Sequence, residues 1–193
     1  MRVILVCGRV GSGKTTVAGM LREMLGAELV EADEIGHAVL ELPEVQRELT
    51  HAFGGVLRDG TVDRPLLAER AFSGTAARET LNTITHPRLI AKLHHRISAA
   101  KGTLLVVAAL PKELDLLRKA DIVVEVRAPE REILARNRGR FPMLEQRLRA
   151  QELLEKPDVI IDNGGPLEMT RKAVQELADQ LSGTHGRHRT RAG

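Results

Sequence analysis

The chain has 193 residues, of which 42% are hydrophobic and 28% charged, a composition typical of a soluble globular protein of about one domain. No apolar run reaches the ~18 residues that a membrane-spanning helix needs. A single cysteine, Cys7, excludes an intrachain disulfide and favours a cytoplasmic location. With no Trp or Tyr and only three Phe, the chain also lacks the aromatic platforms on which single-stranded nucleic acid stacks.

The net charge of +3 comes from the end of the chain. Residues 182–193 hold three arginines and no acid, so the remainder is formally neutral. This segment is rich in Gly, Ser and Thr without apolar periodicity, which predicts a disordered basic tail after a single domain of residues 1–181. A solvated tail is the simpler interpretation, weak polyanion binding is the alternative, and no specific nucleic acid is expected.

Short apolar runs alternate with segments of helical periodicity along the chain. The runs predict five β-strands, at residues 3–7, 27–32, 103–110, 122–126 and 159–161. Apolar spacing predicts helices at residues 14–25, 34–40, 130–137 and 167–181. Fully apolar strands that alternate with helices predict an α/β fold with a five-stranded parallel sheet flanked by helices.

Two insertions interrupt this predicted core of residues 1–33 and 101–181. Residues 34–100 predict an all-helical insertion, with turns at 54–55 and 59–60 and one long helix at 76–100 interrupted or bent at Pro87. Such a block at the ends of the strands suggests a substrate-binding subdomain. Residues 136–150 are rich in arginine and punctuated by Gly139 and Pro142, which predicts a short, mobile lid over phosphate groups.

The strongest motif is GRVGSGKT at residues 8–15, which matches the phosphate-binding P-loop between a predicted strand and a predicted helix. Its glycines let backbone N–H groups curl around one anion, and the following helix adds its positive end. Lys14 can reach the β- and γ-phosphates, and the Thr15 hydroxyl can ligate Mg²⁺. The residues predicted to bind the nucleotide here are Gly8, Arg9, Val10, Gly11, Ser12, Gly13, Lys14, Thr15 and Thr16.

A carboxylate is expected near the P-loop, but the third predicted strand ends in Ala-Leu-Pro without one. Asp33, at the end of the second predicted strand, is the best candidate. It could accept the proton of an acceptor hydroxyl or hold magnesium through water. The alternative interpretation is that Asp33 caps the helix that follows.

Over residues 1–181 the chain resembles the dephospho-CoA kinases. The motifs that carry the resemblance are GRVGSGKTT at 8–16, EAD at 31–33, DG at 59–60, VDR at 62–64, LN at 81–82, THP at 85–87, RLRAQ at 147–151 and VIIDNGG at 159–165. Most are weak singly, but their order and spacing together are specific. The resemblance implies a P-loop kinase fold with a helical substrate insertion and a short lid.

The resemblance also implies a reaction, in which the γ-phosphoryl group of ATP, with Mg²⁺, passes to the ribose 3′-hydroxyl of dephospho-CoA. Asp33 would be the general base, while Lys14 and the lid residues Arg140 and Arg147 would balance charge on the transferring group. The remaining residues that it implies are His37, Arg64 and His86 on the acceptor side, and Asn163 and Gly165 at the adenine end of ATP. Ordinary structural roles remain open for several of them: a helix bend at His86, and solvated surfaces for Arg64 and the lid arginines.

The chain departs from the family pattern in three places. Glu31 replaces the more usual aspartate, the 108–113 segment lacks an expected aspartate although Glu113 is a candidate for the family's glutamate, and only six residues separate Gln151 from Asp158. These departures keep two alternatives open. One is a related P-loop kinase with another acceptor, and the other is a non-catalytic nucleotide-binding protein.

Overall fold

The computed structural model describes residues 1–139, 141 and 143–183. Its strands are β1 (Arg2–Cys7), β2 (Glu28–Glu31), β3 (Leu57–Arg58), β4 (Thr61–Val62), β5 (Thr103–Ala108), β6 (Ile122–Arg127) and β7 (Val159–Asp162). Its helices are α1 (Lys14–Leu25), α2 (Ala32–Leu40), α3 (Pro43–Phe53), α4 (Arg64–Ala71), α5 (Thr75–Ala99), α6 (Glu130–Arg136), α7 (Leu144–Ala150) and α8 (Leu167–Gly183).

Five strands form one parallel sheet in the order β2-β5-β1-β6-β7, which confirms the predicted α/β fold. Alternate side chains of β1 enter two separate cores because successive residues of a strand point to opposite faces. Ile4 and Val6 pack in the cluster that includes α1 and α8, whereas Val3 and Leu5 pack in the cluster that includes α2, α3 and α5. The sheet is therefore covered on both faces. Its central strands β5, β1 and β6 are largely buried, whereas the edge strands β2 and β7 are partly exposed.

The insertion between β2 and β5 is mostly helical, but the expectation that it is all helical is wrong at residues 57–62. There β3 and β4 pair as a small antiparallel hairpin, with Leu57 opposite Val62. Its two turn residues, Asp59 and Gly60, both have positive φ (51° and 79°). Two such residues give a turn whose twist matches the flanking strands, so the Asp-Gly pair is a hairpin signal and not only a break between helices.

The long helix predicted in this insertion is observed as α5, which spans 25 residues with Pro87 inside it. The last helix is longer than predicted, since α8 continues to Gly183 and makes Ser182 and Gly183 helical. The rest of the predicted tail, residues 184–193, lies outside the described residues, as does Arg140. In the described ranges no helix is both long and apolar enough to cross a membrane.

Candidate active site

The P-loop joins β1 to α1 at the carboxyl edge of the sheet, and three of its glycines are required by the backbone. Gly8, Gly11 and Gly13 have φ values of +140°, +75° and +96°, a region that side chains disfavour. A Cβ atom at each would also collide with a neighbour: the Val126 carbonyl, the Asn137 amide and the Asn163 amide, respectively. The loop is thus fitted closely against β6, α6 and the turn after β7.

Lys14 begins α1, and its Nζ donates a hydrogen bond to the Arg9 carbonyl at 3.0 Å. Burial lowers the pKa of Lys14 to about 8, the Asp33 carboxylate acts to raise it, and the Arg147 guanidinium lowers it. Desolvation likewise lowers the pKa of Arg147, with Asp33 acting in the opposite direction. The P-loop lysine, the carboxylate after β2 and an arginine of α7 therefore act on one another across one crevice.

Two carboxylates lie at the end of β2. The Oε2 atom of Glu31 accepts a hydrogen bond of 3.4 Å from the Thr15 hydroxyl. Asp33 lies within the first turn of α2 and is exposed, and the residue before the helix is Glu31, which makes no side-chain cap. The capping interpretation of Asp33 is therefore wrong, and its carboxylate forms no hydrogen bond to another described residue.

A hydroxyl and two carboxylates at this edge suit a magnesium ion, which prefers oxygen ligands. Within the described ranges no three His, Cys, Asp or Glu side chains form a ready-made cage. Mg²⁺ usually keeps several waters and is held by one or two carboxylates and the substrate phosphates.

The arginines of the predicted lid have different environments. Arg147, on α7, is half-buried on the side of Lys14 and Asp33. Arg149 is exposed and lies 3.9 Å from Glu145 on the same helix. Arg136 instead holds the turn after β7, because it donates to the carbonyl oxygens of Asn163 (2.6 Å), Gly164 (3.4 Å) and Gly165 (3.3 Å).

The two residues predicted at the adenine end lie in that turn, next to the P-loop. The buried Asn163 amide donates to the Ser12 carbonyl at 2.8 Å, and its oxygen accepts from Thr170 at 2.9 Å. Its side chain is therefore engaged within the protein, and it braces the P-loop. Gly165 is exposed, and Arg136 fixes its carbonyl.

The remaining predicted substrate residues lie on the insertion. His37 is exposed on α2, one helical turn after Asp33. His86 is half-buried on α5; desolvation lowers its pKa, while the nearby Glu113 carboxylate acts to raise it. Glu113 follows β5, so the altered 108–113 segment faces the histidine of the insertion.

Arg64 is the first residue of α4 and is exposed. Its neighbour Asp63 lies 3.6 Å from Arg58 and accepts a hydrogen bond from the Leu66 amide. Arg64 itself forms no ion pair with another described residue.

Several contacts around the P-loop have no counterpart in the sequence predictions. Gln151 accepts a hydrogen bond from the Val10 backbone N–H at 2.7 Å. The Arg9 guanidinium donates to Glu130 at 2.8 Å and to the Leu148 carbonyl at 3.0 Å. Gln151 belongs to the RLRAQ motif, but nothing in the sequence indicates its partner, 141 residues away.

A P-loop at the carboxyl edge of a parallel sheet, with a lysine, a threonine hydroxyl, two carboxylates and an arginine of α7, defines the class of P-loop kinases. The family model described as dephospho-CoA kinase matches residues 2–168. The chain belongs to the dephospho-CoA kinase family.

A named relative agrees with this assignment, and solved structures share the fold. A protein of Deinococcus radiodurans named dephospho-CoA kinase is 37% identical over 186 residues, which covers 90% of this chain and 89% of that protein. A crystal structure of a Thermus thermophilus protein superposes with a TM-score of 0.74 at 26% identity, covering 93% and 97% of the two chains. The fold also matches a Campylobacter jejuni dephospho-CoA kinase, with a TM-score of 0.69 at 20% identity over 96% of this chain and 100% of that one.

Proposed function

We propose that this protein transfers the γ-phosphoryl group of ATP to the ribose 3′-hydroxyl of dephospho-CoA, which gives coenzyme A and ADP. The observation that carries the proposal is the position of Asp33. Its carboxylate has no hydrogen-bond partner among the described residues, yet it acts on both Lys14 and Arg147 across the P-loop crevice. A carboxylate so placed can serve an acceptor hydroxyl that approaches the terminal phosphate.

The chain's contribution to phosphoryl transfer is positioning and charge neutralisation. Backbone N–H groups of the P-loop and the start of α1 bind the phosphates. Lys14 and Arg147 balance the negative charge that develops on the transferring group. The Thr15 hydroxyl, with Glu31 and Asp33 through water, would hold Mg²⁺, which supplies further neutralisation of phosphate charge when bound.

On the acceptor side, Asp33 accepts the proton that leaves the 3′-hydroxyl as the oxygen attacks phosphorus. His37, Arg64 and His86 bind the acceptor along the insertion, and Glu113 lies beside His86. The turn that contains Asn163 and Gly165 lies at the adenine end of ATP. Its support is the network from Arg136 to the turn and from Asn163 to Ser12.

We further propose that the reaction takes place in the cytoplasm. The single cysteine leaves no intrachain disulfide to form. Cys7 is buried, and desolvation raises its pKa to about 12, so its thiol stays protonated and unreactive at neutral pH.

An acceptor panel tests the proposed substrate. Purified protein with Mg-ATP is offered dephospho-CoA, nucleosides, sugars and shikimate, and ADP release is followed for each. We expect a kcat/KM for dephospho-CoA at least about 100-fold above the other acceptors, since a site built for the polar groups of one substrate rejects analogues that lack them. A higher kcat/KM for any other acceptor would instead assign the chain a changed substrate.

A further inference from the structure

The first two residues after Gly8 in the P-loop, Arg9 and Val10, contact α7 and the residue that follows it. The Val10 side chain is 5% exposed and packs in a small apolar cluster with Ile133 of α6 and Leu148 of α7. This cluster is separate from the two cores that cover the sheet. The P-loop therefore provides an apolar surface on which the short helix α7 rests.

Two polar contacts fasten the end of α7 to the same surface. Gln151, directly after the helix, accepts the Val10 N–H at 2.7 Å. The Arg9 guanidinium binds the Leu148 carbonyl, one of the last carbonyls of α7, at 3.0 Å. It also binds Glu130 of α6 at 2.8 Å, and the Arg9 side chain is only 18% exposed, which limits its freedom. The hydrogen bond of the Val10 backbone and that of the Arg9 side chain thus set the position of α7.

Arg147 lies immediately before Leu148 and one turn before Gln151. Fixing these two neighbours fixes the helix that carries Arg147, whose guanidinium is half-buried near Asp33 and Lys14. Without such anchoring, α7 would have to be ordered when nucleotide binds, at a cost in conformational entropy.

We propose that Arg9 and Gln151 are positioning residues, which hold α7 against the P-loop and so present Arg147 to the terminal phosphate before the nucleotide arrives. The inference rests on the proposed function for the ATP site. It assigns the Arg9 side chain a role that phosphate binding by backbone N–H groups does not explain. It also gives Gln151 a role in the same reaction although its side chain contacts the P-loop and not the substrate.

A double-mutant cycle tests the inference, with binding of the β,γ-imido analogue of ATP and of ADP measured by calorimetry without acceptor. Gln151→Leu removes the acceptor oxygen at nearly constant size. We expect it to weaken binding of the analogue by about 10-fold, as for the loss of one well-placed interaction. ADP affinity should change by less than about threefold, because Arg147 serves the γ-phosphate, which ADP lacks. In an Arg147→Ala background, Gln151→Leu should change analogue affinity by less than about twofold.

Two further variants separate positioning from general stability. Arg9→Met keeps the apolar stem, loses the bond to the Leu148 carbonyl, and should show the same dependence on Arg147. Gln175→Leu is the matched control, since Gln175 is exposed on α8 and binds only Asp179 among the described residues; it should bind both nucleotides like the wild type. Thermal unfolding of each variant verifies that it is folded.

Equal losses in the presence and absence of Arg147, or no loss with Gln151→Leu and Arg9→Met, would overturn the inference. Failure of the proposed acceptor leaves this result unaffected, because no acceptor is used. Conversely, the cycle could show the coupling while the wild-type protein fails to phosphorylate dephospho-CoA. That result would reject the proposed function alone.

Discussion

At the scale of single residues, the lowered pKa of Lys14 makes nucleotide binding depend on pH. Its pKa of about 8 means that the ammonium is charged at pH 7 and mostly neutral at pH 9 in the ligand-free protein. A bound triphosphate stabilises the charged form and raises the pKa again. Binding at pH 9 should therefore take up about one proton, and affinity should fall by up to about 10-fold per pH unit above 8.

Calorimetry of ADP binding in buffers of different ionisation enthalpy measures this uptake. The matched control is Lys14→Arg, because a guanidinium keeps its charge throughout this range. The arginine variant should bind without that uptake. An identical proton uptake in both proteins, or an affinity that stays constant from pH 7 to 9, would contradict the account of Lys14.

Asp33 provides the second test at this scale. Asp33→Asn keeps the size of the side chain but removes the proton acceptor, so kcat should fall by about 100- to 10,000-fold. Nucleotide affinity at pH 7 should change by less than about threefold, since the P-loop is intact. The neighbouring exposed carboxylate, in Glu34→Gln, is the control and should leave kcat within about twofold. Full turnover in Asp33→Asn would mean that another group accepts the proton.

The difference between predicted and unpredicted site residues has a physical reason. Lys14 and Thr15 were predictable because the P-loop is a local structure whose spacing carries its chemistry. The roles of Asn163 and Gln151 were not, because they depend on hydrogen bonds to Ser12 and Val10, which are 151 and 141 residues away. Such contacts form only once β6, β7 and α7 are packed.

At the scale of elements, two side chains of β6 hold the short connection between α7 and β7 in place. The carboxylate of Glu125, 1% exposed, accepts the Leu154 N–H at 2.8 Å and pairs with Arg127. Arg127 in turn donates to the Leu154 carbonyl at 2.9 Å. This ion pair between the buried Glu125 and the partly exposed Arg127 thus holds both backbone groups of Leu154, in the six-residue connection between Gln151 and Asp158.

Removal of one partner should therefore destabilise the fold. Arg127→Met leaves the buried Glu125 without its cation and should lower the free energy of unfolding by about 2–4 kcal/mol, measured by urea denaturation. The matched control is Arg118→Met, whose 3.9 Å ion pair with Asp115 is largely exposed. It should change stability by less than about 0.5 kcal/mol. Equal effects of the two substitutions would show that the Glu125–Arg127 pair is not a structural anchor.

Element prediction succeeded where periodicity was strong and failed where turn chemistry decided the structure. The helix predicted at residues 14–25 is α1 to the residue, since glycines bound it on both sides. The hairpin at 57–62 was missed because its strands have two residues each, too few to show alternation. The strand predicted at 27–32 is shorter, Glu28–Glu31, because α2 begins at Ala32 and places Asp33 in its first turn.

At the scale of the whole molecule, the charge is divided between a neutral domain and a basic end. Three arginines lie in residues 184–193, after the end of α8 at Gly183. A chain that ends at Gly183 should keep kcat and melting temperature unchanged within error, because the sheet, the P-loop and every predicted site residue lie before that point. Any salt-sensitive binding of polyanions should be lost with the basic end. Loss of kinase activity on truncation would instead assign the tail a catalytic or structural role.

The central claim concerns the acceptor atom, and the position of the transferred phosphate tests it most directly. Purified protein is incubated with Mg-ATP and dephospho-CoA, and the product is examined by mass spectrometry and phosphorus NMR. We predict stoichiometric formation of ADP and of coenzyme A with one added phosphate on the ribose 3′-oxygen, and near-complete loss of that product with Asp33→Asn. Phosphate at another position, or no transfer to dephospho-CoA while another alcohol is phosphorylated, would contradict the account.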